Sequence, residues 1–427
     1  LGPDESPRLG GPHGPYKQSE RLDTYRPYVD KLIEDGHAYY CWCSQERLAQ
    51  LRADRAAAKS SQTGYDRMCL GMTKEERAKL PGFTENPVVR MRVPDVELGF
   101  DDLIRGHVNA PRPDDQVILK ADGFPTYHMA VVVDDHLMGI DTVVRGEEWI
   151  SSTPKHILLY TWLGWQVPRF AHMPLLRNSD KSKISKRKNP AARLMWFREQ
   201  GYLPDALRNF LQLLAFPILG EGQEVESFES FVARFDWANI ATGGPVFDLK
   251  KLDWLNGQYI RNLDPEALTS RVFEYVDRMG QAQQVLGRDL TERDRSIVRA
   301  AMPLVRERLT LLSEALPKLA FLLVDDDSLV FDADSVAKLK DGADEIQHAA
   351  VEVLTGLDDF SADAIQAALR AKLCDDMGIK PRLAFAPVRV AVTGSRVSPP
   401  LFEAMEILGS QSTLHRMQRF EAEMKRQ

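Results

Sequence analysis

The chain has 427 residues, of which 44% are hydrophobic and 27% charged, with a net charge of −7. This composition is that of a globular protein too long for one core, and length alone suggests roughly two to four domains. No window reaches the ~18 apolar residues of a membrane helix, and the acidic balance excludes indiscriminate polyanion binding while allowing a local basic face.

Residues 1–22 are rich in Gly and Pro, through Gly10-Gly11-Pro12-His13-Gly14-Pro15-Tyr16, and read as an irregular loop. From Arg21 to Asp35, the residues Leu22, Tyr25, Tyr28, Val29 and Leu32 fall at helical spacing, and Gly36 stands where a C-terminal cap belongs. Tyr39-Tyr40-Cys41-Trp42-Cys43 then precedes a charged helical stretch and Tyr65-Asp66-Arg67-Met68-Cys69. Three of the four cysteines thus crowd between positions 41 and 69, which does not suit a disulfide framework and points to a reducing, cytoplasmic setting. Cys41 and Cys43 can offer two thiolates to one zinc ion and Cys69 a third, with Tyr65 beside Cys69 on one helical turn as the fourth donor. Tyrosinate is an uncommon zinc ligand, so zinc is expected to be weak or absent, with buried thiols as the alternative.

Between Val88 and Leu119, short β-rich runs (Val88–Val93, Val117–Leu119) alternate with turn residues and suggest a small α+β insertion. Met129-Ala130-Val131-Val132-Val133 and Asp141-Thr142-Val143-Val144 then read as short buried strands. Ser152-Thr153-Pro154 reads as the start of a helix running through Ile157, Leu158, Thr161 and Leu163. Strands alternating with helices predict a parallel α/β sheet, whose ligands sit beyond the carboxyl ends of the strands. Arg145, Trp149 and the loop after His172 fall there.

That loop carries most of the chemistry. From Lys181 it runs Ser182-Lys183-Ile184-Ser185-Lys186-Arg187-Lys188, five cations before Asn189-Pro190. Lysines on flexible stems can follow a polyphosphate as its charge redistributes, which stabilises phosphoryl or nucleotidyl transfer; the alternative is a solvated surface loop. After Pro190 the pattern is helical: Leu207–Leu214, a turn at Gly243-Gly244-Pro245-Val246-Phe247-Asp248, Leu249–Leu255, a helix capped by Thr291 and another opened by Ser361. Val388, Val390 and Val392 alternate like a strand, but their helical neighbours argue against one.

Lys183-Ile184-Ser185-Lys186-Arg187 resembles the K-[ML]-S-K-[SR] signature of class I aminoacyl-tRNA synthetases. Pro174-Leu175-Leu176 resembles the strand that precedes it in the glutamyl branch. Gly10–Arg21, Pro125-Thr126-Tyr127-His128, Val132-Val133-Asp134-Asp135-His136, Arg145-Gly146-Glu147-Glu148-Trp149 and Gly243–Asp248 extend the resemblance to bacterial-type glutamyl-tRNA synthetase over nearly the whole chain. The resemblance implies a multidomain α/β plus all-α protein. Residues 1–22 and 128–182 would form a Rossmann-type catalytic part, 23–127 an acceptor-stem insertion, 183–262 the lysine loop and stem-contact region, and 263–427 a helical anticodon-binding domain. It implies a monomer that joins L-glutamate to tRNA(Glu), with tRNA(Gln) a further candidate, using ATP with magnesium. Tyr127, Arg145 and Trp149 would line the glutamate pocket, where the Arg145 guanidinium can hold a carboxylate bidentately unless Glu147 or Glu148 takes it instead. Leu175 and Leu176 would hold adenine. Lys183, Ile184, Ser185, Lys186 and Arg187 would grip ATP, with Lys186 and Lys183 catalytic, and Arg306 and Arg308 would meet the anticodon.

Three departures stand out. Val131 occupies the place of a usual Asn in the glutamate pocket, and Gly71 that of a zinc-binding His. No His-Ile-Gly-His-type motif is found, and His156-Ile157-Leu158-Leu159 is no substitute, so the sequence is expected to begin after it. That absence keeps a noncatalytic tRNA-binding protein as the alternative. An enzyme that glutamylates a tRNA base is disfavoured by the helical C-terminal third, and a glutaminyl enzyme by the lack of a β-barrel there.

Overall fold

The structure, a computed structural model, describes residues 4–60, 64–182, 184, 193–216 and 224–425. The chain divides into two compact units, one of Leu1–Arg177 with Ala215–Pro217 and Arg234–Pro245, the other of Asn178–Leu214, Ile218–Ala233 and Val246–Gln427. The first is α/β and the second is helical.

In the first unit, helix α1 (Leu22–Glu34) buries Tyr25, Val29 and Leu32 completely, the spacing that the sequence predicts. It ends where Gly36, at φ +73°, lets the His37 N–H reach the Leu32 carbonyl at 2.8 Å. Strand β1 (Ala38–Cys43) pairs antiparallel with β2 (Phe83–Met91), and β2 with β5 (Val117–Leu119). Helices α2 (Gln45–Ala57) and α3 (Lys74–Ala78) lie between β1 and β2, each capped by a hydroxyl, Ser44 and Thr73.

A second sheet has the order β4 (Gly106–Ala110), β3 (Leu98–Asp102), β7 (Arg169–Met173), β6 (Thr142–Gly146). β3 and β4 form an antiparallel hairpin, whereas β3–β7 and β6–β7 are parallel. Helix α5 (Thr153–Trp162) crosses between β6 and β7, giving the predicted β-α-β unit. The hairpin from the expected insertion therefore lies in the same sheet as β6 and β7, so a boundary at residues 127/128 does not separate two sheets. The expected 183–262 segment is likewise shared between the two units.

The run Met129–Val133 is helical, within α4 (Tyr127–Leu137), and corrects the expected strand. Met129, Ala130, Val132 and Val133 are all buried, a pattern with helical period. A strand would turn Val132 away from the core that Met129 and Val133 enter. Burial of each large aliphatic side chain is worth about 1.5–3 kcal/mol, more than the β preference of valine, which spans ~1 kcal/mol. Asp134 fixes the helix in place, accepting from Arg21 Nε at 2.8 Å and from the Tyr25 hydroxyl at 2.9 Å. The strand before the lysine loop also differs, since β7 ends at Met173 and Pro174-Leu175-Leu176 lie beyond it.

Among the described residues the second unit packs three helical cores. Phe197, Leu207, Phe210, Leu252 and Leu255 make one; Leu268, Val272, Val298, Ala301 and Val305 belong to a second; Ile346, Ile365, Leu369, Val388, Met417 and Phe420 to a third. Thr291 and Asp294 form a reciprocal capping box, and Ser361 caps the helix Ala362–Leu369. Val388, Val390 and Val392 lie in the helix Pro381–Thr393, fully buried, so their alternation reflects burial on several faces rather than a strand. Among the described residues no helix is long and apolar enough to cross a membrane.

Candidate active site and cysteine cluster

Parallel pairing of β6 with β7 sets Arg145 opposite His172 at the carboxyl ends of both strands. Facing residues of neighbouring strands project to the same side of a sheet, so the two side chains meet. Arg145 Nε donates to His172 Nε2 at 3.2 Å, Nη1 lies 3.1 Å from His156 Nδ1, and Nη2 donates to Thr153 Oγ1 at 2.6 Å. The His156 Nε2 is in turn 3.0 Å from His128 Nδ1. Asp102, at the end of β3, lies 2.6 Å from His172 Nδ1, and both side chains are fully buried.

Electrostatics follow from this burial. Desolvation pushes His156 down to about 2 and His128 down to about 4, with the charges of Arg145 and Lys155 adding to the effect. His172 is also lowered, because burial and Arg145 outweigh its Asp102 partner. All three imidazoles are neutral at pH 7. Asp135, half-buried beside Asp134, is raised to about 6, while burial lowers the Arg145 guanidinium against the pull of Tyr127 and Asp135.

Tyr127, Arg145 and Trp149 come together. The Tyr127 and Trp149 ring centroids are 4.8 Å apart, and the Arg145 guanidinium lies 5.8 Å from the Trp149 ring and 5.5 Å from that of Phe170. Tyr127 is 48% exposed, so this aromatic wall opens to solvent. The expected alternative, Arg145 paired with Glu147 or Glu148, is not what forms among the described residues, where Arg145 bonds His172, His156 and Thr153. Arg105 takes Glu147 at 2.6 Å, and Glu147 Oε1 lies 3.4 Å from the Leu175 N–H. Val131, in the place of the usual Asn, packs against the core of α4.

Beyond β7 the Arg177 N–H donates to the Pro245 carbonyl at 2.9 Å. A Cβ on Gly244 would lie 2.3 Å from Arg177 Nε and 3.0 Å from the Leu175 carbonyl oxygen, so the glycine permits this close approach. At the start of the lysine loop Asp180 Oδ1 accepts from the Ser182 N–H at 2.8 Å and its hydroxyl at 2.6 Å. Ile184 is half-buried; Lys183, Ser185, Lys186 and Arg187 lie outside the described residues. Of the two candidate anticodon residues, half-buried Arg306 gives its guanidinium to the Arg261 carbonyl, and exposed Arg308 donates to the Ser398 carbonyl at 2.8 Å.

The sulfurs of Cys41, Cys43 and Cys69 lie within 4.8 Å of one another, all three buried. The Tyr65 hydroxyl is 3.3 Å from Cys41 Sγ and 3.4 Å from Cys43 Sγ, and Cys43 and Cys69 are 3.5 Å apart. Tyr65 reaches them from an irregular segment rather than from the expected helical turn. Zn–S bonds of about 2.3 Å place tetrahedral donors about 3.5–3.8 Å apart, so this set fits zinc. Hydrogen bonds from Cys43 and Cys69 pull the Cys41 thiol down, and the same contacts push Cys69 up. Arg47 and Arg77 approach Cys43 Sγ at 3.5 and 3.7 Å, cations that would balance a thiolate-rich metal site.

The sequence singled out Tyr127, Arg145, Trp149 and the cysteine set, but not Asp102, His172 or Thr153. Their signal is the strand register, which a reading along the chain does not contain.

Comparison with known proteins completes the description. The family described as tRNA synthetases class I (E and Q), catalytic domain, matches residues 3–254, and the anticodon binding domain family matches residues 268–420. The glutamate–tRNA ligase of Cutibacterium acnes is 82% identical over 425 residues, covering 99% of this chain and 86% of that protein. That of Acidothermus cellulolyticus is 60% identical, covering 97% of this chain and 82% of its own length. A crystal structure of a glutamate tRNA ligase from Elizabethkingia meningosepticum in complex with its amino acid superposes with a TM-score of 0.80 at 28% identity, over 98% of this chain and 86% of that one. The chain belongs to the glutamate–tRNA ligase family of class I aminoacyl-tRNA synthetases.

Proposed function

We propose that this chain joins L-glutamate to the 3′ end of tRNA(Glu) in two steps, acting as a cytoplasmic monomer, with tRNA(Gln) a second acceptor. A carboxylate oxygen of glutamate attacks the α-phosphorus of ATP and pyrophosphate leaves, with magnesium carried on the ATP. A terminal hydroxyl of the tRNA then attacks the mixed-anhydride carbonyl and AMP departs. Tyr127, Arg145 and Trp149 hold the glutamate. The backbone at Leu175 and Leu176 holds adenine. Lys183, Ile184, Ser185, Lys186 and Arg187 follow the phosphates, with Lys186 taking the charge that develops on the leaving pyrophosphate. Residues 23–127 take the acceptor stem, 183–262 the inner stem, and 263–427 the anticodon, with Arg308 the more accessible of the two arginine contacts. Zinc on Cys41, Cys43, Cys69 and Tyr65 braces the stem-binding part.

One observation carries this reading. Among the described residues Arg145 makes three side-chain hydrogen bonds, all to neutral acceptors, beside the Tyr127–Trp149 wall. None of these partners neutralises its charge, so it can take a substrate carboxylate in hydrogen-bond contact, and charge-assisted hydrogen bonds of that kind are worth about 1.5–3 kcal/mol. Charging kinetics with glutamate and glutamine test it. Glutamate is expected to be used far better, and Arg145→Lys, which loses the planar fork, is expected to lower its kcat/KM about 10- to 100-fold. Equal use of glutamine, or an unchanged Arg145→Lys enzyme, would contradict the assignment.

A further inference from the structure

The guanidinium of Arg145 is held through a chain of defined protons that begins at a buried carboxylate. Asp102 Oδ1 accepts the backbone N–H groups of Ile104 and Arg105 at 3.0 Å each and that of His172 at 3.3 Å, while Oδ2 lies 2.6 Å from His172 Nδ1. An ionised carboxylate only accepts, so the His172 proton sits on Nδ1 and Nε2 is bare. That bare nitrogen accepts the Arg145 Nε–H at 3.2 Å, while the Thr153 hydroxyl, whose oxygen lies 3.0 Å from it, gives its proton to the Trp149 carbonyl at 3.1 Å. Thr153 Oγ1 itself accepts from Arg145 Nη2 at 2.6 Å. On the other side His156 Nδ1 accepts from Nη1, which places its proton on Nε2, facing His128 Nδ1. Three of the five guanidinium N–H donors are thereby fixed, leaving one on each terminal nitrogen.

We propose that Asp102, His172 and Thr153 are positioning residues: they set the plane of the Arg145 guanidinium so that its remaining N–H pair selects a side-chain carboxylate over the corresponding amide. The inference rests on the reading that Arg145 takes the carboxylate of glutamate. Asp102 acts through His172 and contributes its charge one ring away, so it orients Arg145 without forming an ion pair in contact with it. A carboxylate placed directly on the guanidinium would compete with the substrate. An imidazole with a fixed tautomer supplies an acceptor and no competing charge.

The tautomer makes the device testable. Asp102→Asn keeps the side-chain size and can keep the backbone contacts through Oδ1, but it turns an N–H toward His172 Nδ1. The imidazole proton then moves to Nε2 and opposes the Arg145 Nε–H. His172→Gln presents an amide oxygen to Arg145 whatever stands at position 102. Binding of glutamate and of glutamine to the full chain is measured by calorimetry. Asp102→Asn is expected to weaken glutamate about 10- to 100-fold, the usual cost of losing an orienting partner, and to leave glutamine nearly unchanged. His172→Gln is expected to bind glutamate within about threefold of the parent, and the Asp102→Asn/His172→Gln double variant likewise, so that the cost of Asp102→Asn disappears on that background. A purely structural role predicts equal losses for both ligands and no rescue, and that pattern would overturn the proposal. If Asp102→Asn fails to fold, Thr153→Val, which loses the acceptor, is compared with Thr153→Ser, which keeps it; equal glutamate affinities in the two would overturn the proposal. Arg145→Lys separates the two levels. Unchanged glutamate binding in that variant removes the underlying reading, whereas loss there with parental binding in Asp102→Asn removes only the positioning role.

Discussion

At the scale of single residues, the proposed reaction divides the work between one guanidinium and one ammonium. In that reading Arg145 recognises a charge that is present before and after reaction, so its loss should fall mainly on glutamate binding. In the same reading Lys186 meets a charge that develops as pyrophosphate leaves, so Lys186→Ala is expected to lower the adenylation rate about 100-fold while the ATP KM changes little. Pre-steady-state measurement of adenylate formation checks this, and equal losses in rate and ATP binding would contradict it. The candidate substrate residues were legible in the sequence because they stand in short motifs. The residues that orient them were not. His172 lies 27 positions from Arg145, and Asp102 lies 70 positions from His172, so a reading along the chain offers Glu147 and Glu148 as partners for Arg145 instead. Only the parallel register of β6 and β7, with β3 added at the edge of β7, replaces those neighbours with His172 and Asp102.

At the scale of elements, α4 and α5 face each other through neutral histidines, and this has a consequence for stability. His128 at about 4 and His156 at about 2 bind fewer protons folded than unfolded, where histidine titrates near 6.5. Their contribution to stability is therefore complete above pH ~6.5 and is lost as pH falls toward 4. Asp135, raised to about 6, works in the opposite sense between about pH 4 and 6. The other groups facing this layer are Tyr127 and Asp134 on α4, Lys155 and Tyr160 on α5, Arg145 on β6, His172 on β7 and Asp102 on β3. His172 is lowered too, so the histidines outweigh the single carboxyl. Amide hydrogen exchange in α4 and α5 is expected to show less protection at pH 5 than at pH 7, after correction for intrinsic rates; greater protection at pH 5 would contradict the balance.

The second element-scale prediction concerns β1 and the 65–69 segment, which meet at the cysteine cluster and Tyr65. The purified chain is expected to carry zinc, and chelation or Cys41→Ser is expected to lower the melting temperature of the first unit by several degrees, since metal binding is folding free energy. A metal-free chain whose melting is unmoved by chelator would contradict the site. The misread strand at Met129–Val133 belongs to this scale as well. A five-residue apolar run has no period long enough to separate helix from strand, and burial decides the matter only once the neighbouring elements are in place.

At the scale of the whole molecule, an α/β unit with the Tyr127–Arg145–Trp149 cluster and a helical unit with the anticodon-binding family region belong to one chain. Their existence was legible from the change from strand-and-helix alternation to continuous helical periodicity after Pro190. Their borders were not, because Ala215–Pro217 and Arg234–Pro245 return to the first unit through contacts such as that of Arg177 with Pro245. The measurement that bears most directly on the function is transfer of radiolabelled glutamate to tRNA(Glu) by this chain, run beside tRNA binding at two salt concentrations, since phosphate contacts make that affinity fall with salt. The expected result is ATP-dependent glutamylation together with salt-sensitive tRNA binding. Salt-sensitive tRNA binding with no glutamate transferred would contradict a ligase and leave a tRNA-binding protein.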